Sequence, residues 1–370
     1  MEKFTLNIRF IYKINNLVFN VGDNGSKMHY DPQFNRSYGF ASADNIKHCI
    51  KDKFSDITDI NIPQRTYIKN IKNGDKDKQG EVYTDFNLEN PITRLFGIWN
   101  PTDMKTSSSK YNKCSITSMM RISEMLPIHP LLVTTNKECG VNVGNLNDKV
   151  CFKDKDTYYY SIEDLSKIKP LDDAQKLIQE TRPMNFFEKN ITSSGIYYYD
   201  IHIDLHHLRY TDISDVSDST LTDETINEYK NKGYDIIIDN KKGKKYFVVP
   251  LNEALQSFYD LIDALFNWQF LSNNTTHGSM PELLRITPSI DNTHLWQNAN
   301  GAKLNPDGKT ASLDFYSIED EQKTNVFSFN TKALKQVYYN ENFNYDIFAT
   351  KLANENIKKI GENVIKNITL

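Results

Sequence analysis

Residues 31–54, DPQFNRSYGFASADNIKHCIKDKF, run an arginine and a tight Tyr-Gly turn at Tyr38 and Gly39 into a helix-forming stretch that carries two lysines and a histidine. Arg36 stands just before the expected start of that helix, and Lys47 and Lys51 fall one turn apart on a single stripe. A helix N-terminus attracts phosphate, because its free N–H groups point outward and its dipole is positive there. One chemistry this spacing allows is therefore a polyanion running from Arg36 along Lys47 and Lys51. The other reading is a solvated helix face, and the residues alone leave both open.

Three further sets of residues could do chemistry. In NPTDMKTSSSKYNKCSITSMMRISEMLP, Lys105, Lys110 and Lys113 are interleaved with Ser107, Ser108, Ser109 and Tyr111. Such a mixture suits phosphate oxygens and base stacking, or is an ordinary loop. On an alternating strand, DIHIDLHHL would set Asp200, His202, Asp204 and His206 on one side, as in a metal-binding face. Same-side neighbours are about 7 Å apart along a strand, so only adjacent pairs could share an ion. A polar strand face is the alternative, and no metal or other cofactor is expected. Asp23 and Asp31 flank the loop before the first helix, where carboxylates serve metal-assisted phosphodiester chemistry or simply form turns. The chain has no GxSxG, no P-loop, no GxGxxG after a strand and no HExxH, so nucleophilic catalysis finds no support.

The elements that must position these residues follow from periodicity. Phe4, Leu6, Ile8, Phe10, Tyr12 and Ile14 alternate with polar residues, which predicts a half-buried strand. Ala43, Ile46, Ile50 and Phe54 recur at helical spacing, with Ser42 at the N-cap and Asn45 at the third position. The charged stretch KNGDKDKQGE reads as a hairpin tip or loop, and a helix is expected over 115–126. Residues from 134 to about 188 read as an insertion with a modest helix near 172–181. GIYYYDIHIDLHHL predicts the strongest central strand, and LNEALQSFYDLIDALFNW the clearest amphipathic helix. The strand ELLRITPS and a lysine-rich terminal helix complete the order. The fold class is α+β, and a β-α-β-β-α-β ferredoxin-like palm with large insertions fits it, as other α+β folds would.

The formal net charge of −4 gives no global attraction to nucleic acid, so any such surface must be a local concentration of cations. The four cysteines form no CxxC pair, which points to reduced thiols and a cytoplasmic setting. The N-terminal stretch alternates charge with apolar residues, and so reads as neither a signal peptide nor a membrane span.

Four segments carry a family resemblance: NVGDNG with NRSYGFASADNIKHCIKDKF, RLFGIWNPTDMKTSSSKYNKCSITSMMRIS, SGIYYYDIHIDLHHL, and LIDALFNWQFLSNNTTHGSMPELLRITPS. Together they resemble the backbone subunit of CRISPR-Cas effector complexes, the Cas-seven or DevR-like branch of the RAMP superfamily. The family's glycine-rich loop is SNNTTHGSM here, with Gly278 alone. The resemblance implies an RNA-recognition-like palm in two halves, 1–133 and 191–370, with a thumb hairpin within 134–190. It implies that Arg36, Ser42, Asn45, Lys47, His48 and Lys51 line a guide-RNA path, with Lys105, Lys110 and Lys113 also RNA-binding and Lys137 and Lys149 as thumb contacts. Its partners would be CRISPR guide RNA, target nucleic acid through the guide, further copies of itself along a helical filament, and other effector subunits, with no membrane. The acidic segment 212–228 would meet a neighbour's basic patch at Lys241 to Lys245. The resemblance implies binding without catalysis. The enzymatic alternatives are target-RNA cleavage through Asp23, as in type III subunits, or a metal enzyme on the Asp200 strand.

Overall fold

In a computed structural model the protein is described over residues 5–19, 21–22, 25–68, 81–100, 104–105, 110–111, 113–138, 141–143, 152–154, 157–159, 167, 170, 172–173, 184–186, 190–218, 220–270, 282–290, 302–313, 329–330 and 345–368. The first strand, β1 (Thr5–Leu17), leads to a hairpin of β2 (Met28–Asp31) and β3 (Arg36–Gly39), then to helix α1 (Ala43–Thr58). A second hairpin, β4 (Arg65–Ile68) with β5 (Glu81–Thr84), precedes the short helix α2 (Pro91–Phe96) and strands β6 (Ile98–Asn100), β7 (Cys114–Ile116), β8 (Met120–Ile122) and β9 (Val133–Glu138). The longest strand, β10 (Asn190–Asp204), passes into α3 (Leu205–Arg209) and a small sheet of β11 (Tyr210–Asp212), β12 (Asp235–Asp239) and β13 (Lys244–Val248). Helix α4 (Leu251–Asn267), β14 (Glu282–Ile290), β15 (Phe329–Asn330) and helix α5 (Tyr345–Asn367) follow.

The molecule is α+β, built on one antiparallel sheet in the order β8-β10-β1-β14-β15, with β9 continuing along β10. Ile46, Ile50 and Phe54 of α1 and Leu255, Phe258, Ile262 and Leu265 of α4 share a core with the apolar residues of β1 and β10. Tyr197, Tyr199, Ile201, Ile203 and Leu205 all reach that core, as the period-2 pattern requires. Phe10 stacks on Tyr199 at 5.2 Å, and the indole N–H of Trp268 donates to the buried Tyr199 hydroxyl at 2.8 Å. Pro288 sits inside β14 opposite Ile8, and the described pairing of β15 on the outer side is with Arg285 and Ile286.

Four expectations are corrected. The first strand is not half-buried: Asn7, Arg9 and Ile11, on its second face, are buried as well. Strand β1 has a neighbour on each side, and Arg9 is buried because Asp200, directly across the ladder, receives it through Nε–Oδ1 at 2.7 Å and Nη2–Oδ2 at 2.9 Å. The expected helix at 115–126 is instead strand, because β7 pairs with β6 and β8 with β10, and sheet edges outweigh local propensity. Tyr38 and Gly39 form no turn; they end β3, whose Gly39 N–H donates to Ser193 Oγ at 3.1 Å. A Cβ on Gly39 would lie 2.7 Å from that same oxygen, so glycine is needed for close approach rather than for turning. Finally, Lys244 and Lys245 are paired inside this chain, with Asp212 at 2.5 Å and Asp218 at 2.7 Å, which removes the motive for meeting a neighbour's acidic segment.

The ladder of β9 with β10 runs as far as Glu138 and Asn190, so the sheet itself extends into the segment expected as an insertion. Beyond it, Val141–Val143 pairs with Met184–Phe186, and Phe152–Asp154 with Thr157–Tyr159. The helix expected near 172–181 falls almost entirely outside the described residues. Among the described residues no helix is long and apolar enough to cross a membrane, and Cys49 and Cys114 are free buried thiols.

Two predictions test this frame. Asp200→Ala leaves the Arg9 guanidinium buried without its partner and is expected to cost about 3–5 kcal/mol in urea unfolding, whereas replacing both by apolar residues restores most of it. The second concerns His207, where burial holds the ring's pKa down at about 4 from 6.5. Because the folded state resists a proton that the unfolded chain accepts, stability falls as the pH drops from 6.5 to 4, by about 3 kcal/mol from this group. His207→Gln should flatten that slope in a pH series of unfolding curves.

Candidate nucleic-acid interface

Helix α1 begins after Ser42, which takes the N-cap position without a side-chain capping bond, and Asp44 occupies the first turn. That carboxylate already answers the positive end of the helix dipole, so the anion-attracting feature of this helix is its side, not its tip. Along that side Asn45, Lys47, His48 and Lys51 line a cleft of about 500 Å³. The opposite wall is Arg65, at the start of β4, with Ile62 and Pro63 from the preceding loop. Ile92, Thr93 and Phe96 of α2, Ile98 of β6 and Gly97 between them also line it. Gly97 holds φ at +80°, and a Cβ there would come within 2.6 Å of the Ile116 carbonyl, so the wall needs glycine at this bend.

Burial bears on the two sequence readings of the lysine stripe. A solvated face would leave Lys51 in water, but Lys51 is only 9% exposed and makes no hydrogen bond or ion pair among the described residues. Burial lowers the Lys51 pKa, and the nearby Arg65 guanidinium lowers it further, against an opposing pull from Asp52. Lys47 is lowered for the same first reason, with Lys51 adding to the effect and Asp44 opposing it. Three cations thus face one cleft against the single carboxylate of Asp44. Thr93 adds a buried hydroxyl with no partner on the same wall. Both features are costs in the free protein that an anion with several acceptor oxygens would relieve.

The other expected site residues lie elsewhere. Arg36 is exposed on β3 and donates from Nη1 to the Val133 carbonyl at 3.3 Å, toward β9 rather than into the cleft. Lys105 and Lys110 stand opposite one another in a two-stranded ladder, and Lys113 is exposed just before β7. Lys137 occupies a register position opposite Ile191 on β9; Asp23 and Lys149 lie outside the described residues. The metal-face reading loses its geometry. Asp200 is held by Arg9, His202 Nδ1 contacts Asn7 Oδ1 at 2.6 Å, Asp204 caps α3, and His206 belongs to that helix. Among the described residues no group of three or more metal-ligating side chains is assembled. Sequence reasoning missed Arg65 and Thr93, and no local signal marks either: each enters the cleft only because its element packs beside α1.

No family model matches the chain, and no curated protein does. Among solved structures, one chain described as "CRISPR RNA-guided surveillance complex, pre-nicking" is similar at TM-score 0.43 and 11% identity, over 91% of this chain and 90% of that one. A second, described as "CRISPR RNA-guided surveillance complex", has TM-score 0.36 and 11% identity over 91% and 86%.

Lys51→Met is expected to stabilise the free protein by about 1 kcal/mol in urea unfolding, since it removes a buried and unpaired charge. A loss of stability would show that the chain itself supplies the counter-charge.

Proposed function

We propose that this protein is a guide-RNA-binding backbone subunit of a CRISPR effector complex, holding the RNA by its phosphates and leaving the bases free to pair with target nucleic acid. The observation that carries the reading is the cleft lined by Lys47, Lys51 and Arg65, in which burial lowers the pKa of both lysines and Asp44 is the one carboxylate on the lining. Contacts to phosphate carry no base identity, which suits a protein that must accept any guide sequence.

The fold is compatible with the palm that this reading requires. A β-α-β-β-α-β palm places its first strand between its third and fourth, with its second outermost. Here β1 lies between β10 and β14, β8 and β9 flank β10, and α1 and α4 follow the first and third strands. On this reading the thumb would include the pairing of 141–143 with 184–186, which lies beyond the ladder of β9 with β10 in sequence. On this reading further copies of the chain and other effector subunits would line the same RNA, and the protein binds its target through the guide without cutting it.

The test is to purify the protein from cells that carry its neighbouring genes and to sequence any small RNA that accompanies it. Repeat-flanked RNAs of uniform length are expected, and they should be lost when Lys47 and Lys51 are both changed to Glu. In binding titrations with single-stranded RNA, removal of two phosphate contacts should reduce the log–log salt slope by about 1.4. Nucleic-acid-free protein that is indifferent to both changes would overturn the reading.

A further inference from the structure

Strand β6 carries one cleft on its first residue and another on the next two. Ile98, after Gly97, lines the cation cleft; Trp99 and Asn100 line a second cleft of about 450 Å³, completed by Lys113, Ser115 and the 214–217 loop. Trp99 is 68% exposed, the most exposed large hydrophobic side chain among the described residues, while Ile98 and Asn100 on either side are buried. A lone exposed apolar residue is common on protein surfaces. This one differs in being held on a fixed strand that also lines the cation cleft, through Ile98.

The platform is rigid for a stated reason. The Asn100 side chain closes two hydrogen bonds on the Thr84 backbone, accepting its N–H at 2.8 Å and donating to its carbonyl at 2.9 Å. Thr84 itself lines the cation cleft, so the same bonds join the two sites. On the other side β7 pairs with β6 and sets Ser115 opposite Trp99. The chemistry of the second cleft differs from that of the first. Beside Lys113 it holds hydroxyls at Ser115, Ser214 and Ser217, which can donate or accept, and the carboxylate of Asp215, which repels a phosphate and suits the donor groups on a base edge.

We propose that Trp99 is a stacking platform for one nucleobase of the single-stranded nucleic acid whose phosphates lie in the Lys47–Lys51–Arg65 cleft. The inference rests on the reading of that cleft as a nucleic-acid site, and adds a residue and a contact type to it. Every base has a π-face, so a stack on an indole holds the strand without selecting its sequence.

The experiment measures binding of a labelled oligouridine 12-mer to the full-length protein by anisotropy, with indole emission followed in parallel. Wild type should bind with quenching, Trp99→Ala should bind about tenfold more weakly, and Trp99→Tyr should recover most of the loss. The quenching should disappear in both variants, which gives a readout independent of any change in fold. If Lys47→Glu with Lys51→Glu abolishes binding while Trp99→Ala binds like wild type and quenching persists, the stacking proposal is overturned and the cleft reading stands. That result would leave Trp99 for a protein neighbour. If wild type does not bind the oligonucleotide, both fall together.

Discussion

Arg9 and Asp200 face each other across the two longest strands of the central sheet, and the position of every functional element depends on that register. A slip of one residue would turn each side chain of β1 to the opposite face, taking Leu6, Ile8, Phe10 and Tyr12 out of the core. It would also separate the guanidinium from the carboxylate in a place where neither finds water, since both are buried. Buried ion pairs contribute little net stability, because desolvation offsets their attraction, but they penalise the wrong pairing heavily. Tyr198 adds to the specification, lying with its ring 4.5 Å from the Arg9 guanidinium carbon. With the register set, α1 packs against α4 over one face, and the side of α1 that carries Lys47 and Lys51 turns toward α2 and β4.

That placement carries a cost in stability. Several charges away from the cleft are paired: Arg94 bonds Glu253, Tyr234 bonds the same carboxylate, and Lys358 pairs with Asp263. In the cleft Lys51 is desolvated beside another cation and Thr93 Oγ1 has no partner, as Thr192 Oγ1 and the Tyr197 hydroxyl have none elsewhere in the core. A protein that gained nothing from these groups would be more stable without them. The contrast with Lys244 and Lys245 is instructive. They form an equally conspicuous basic run in the sequence, yet each has a carboxylate within 2.7 Å and so offers no uncompensated charge to a partner.

The legible elements were those whose periodicity and burial agree. Helices α1 and α4 and strand β10 show a single apolar face at the right period, and each buries that face. Residues 115–126 misled because Met, Ile and Ser at those positions fit a helix as well as short edge strands, and only the partners β6 and β10 decide the matter. The Asp200, His202, Asp204 and His206 series looked like a ligand set because alternation was extended past Asp204. There the carboxylate instead caps α3 and ends the strand, accepting the backbone N–H of His206 at 3.0 Å.

The sequence by itself determined the α+β class, the helix that bears Lys47 and Lys51, the two strong strands and the need for any anionic ligand to find a local rather than a global positive field. These are properties of neighbouring residues, and period, propensity and composition report them directly. Only the tertiary structure decided which charges remain uncompensated. Arg65 and Thr93 join Lys51, Asp212 and Asp218 neutralise Lys244 and Lys245, and Arg36 turns away toward Val133. The free energy of a charge depends on what lies within a few ångströms in space, and residues far apart in the chain supply those neighbours.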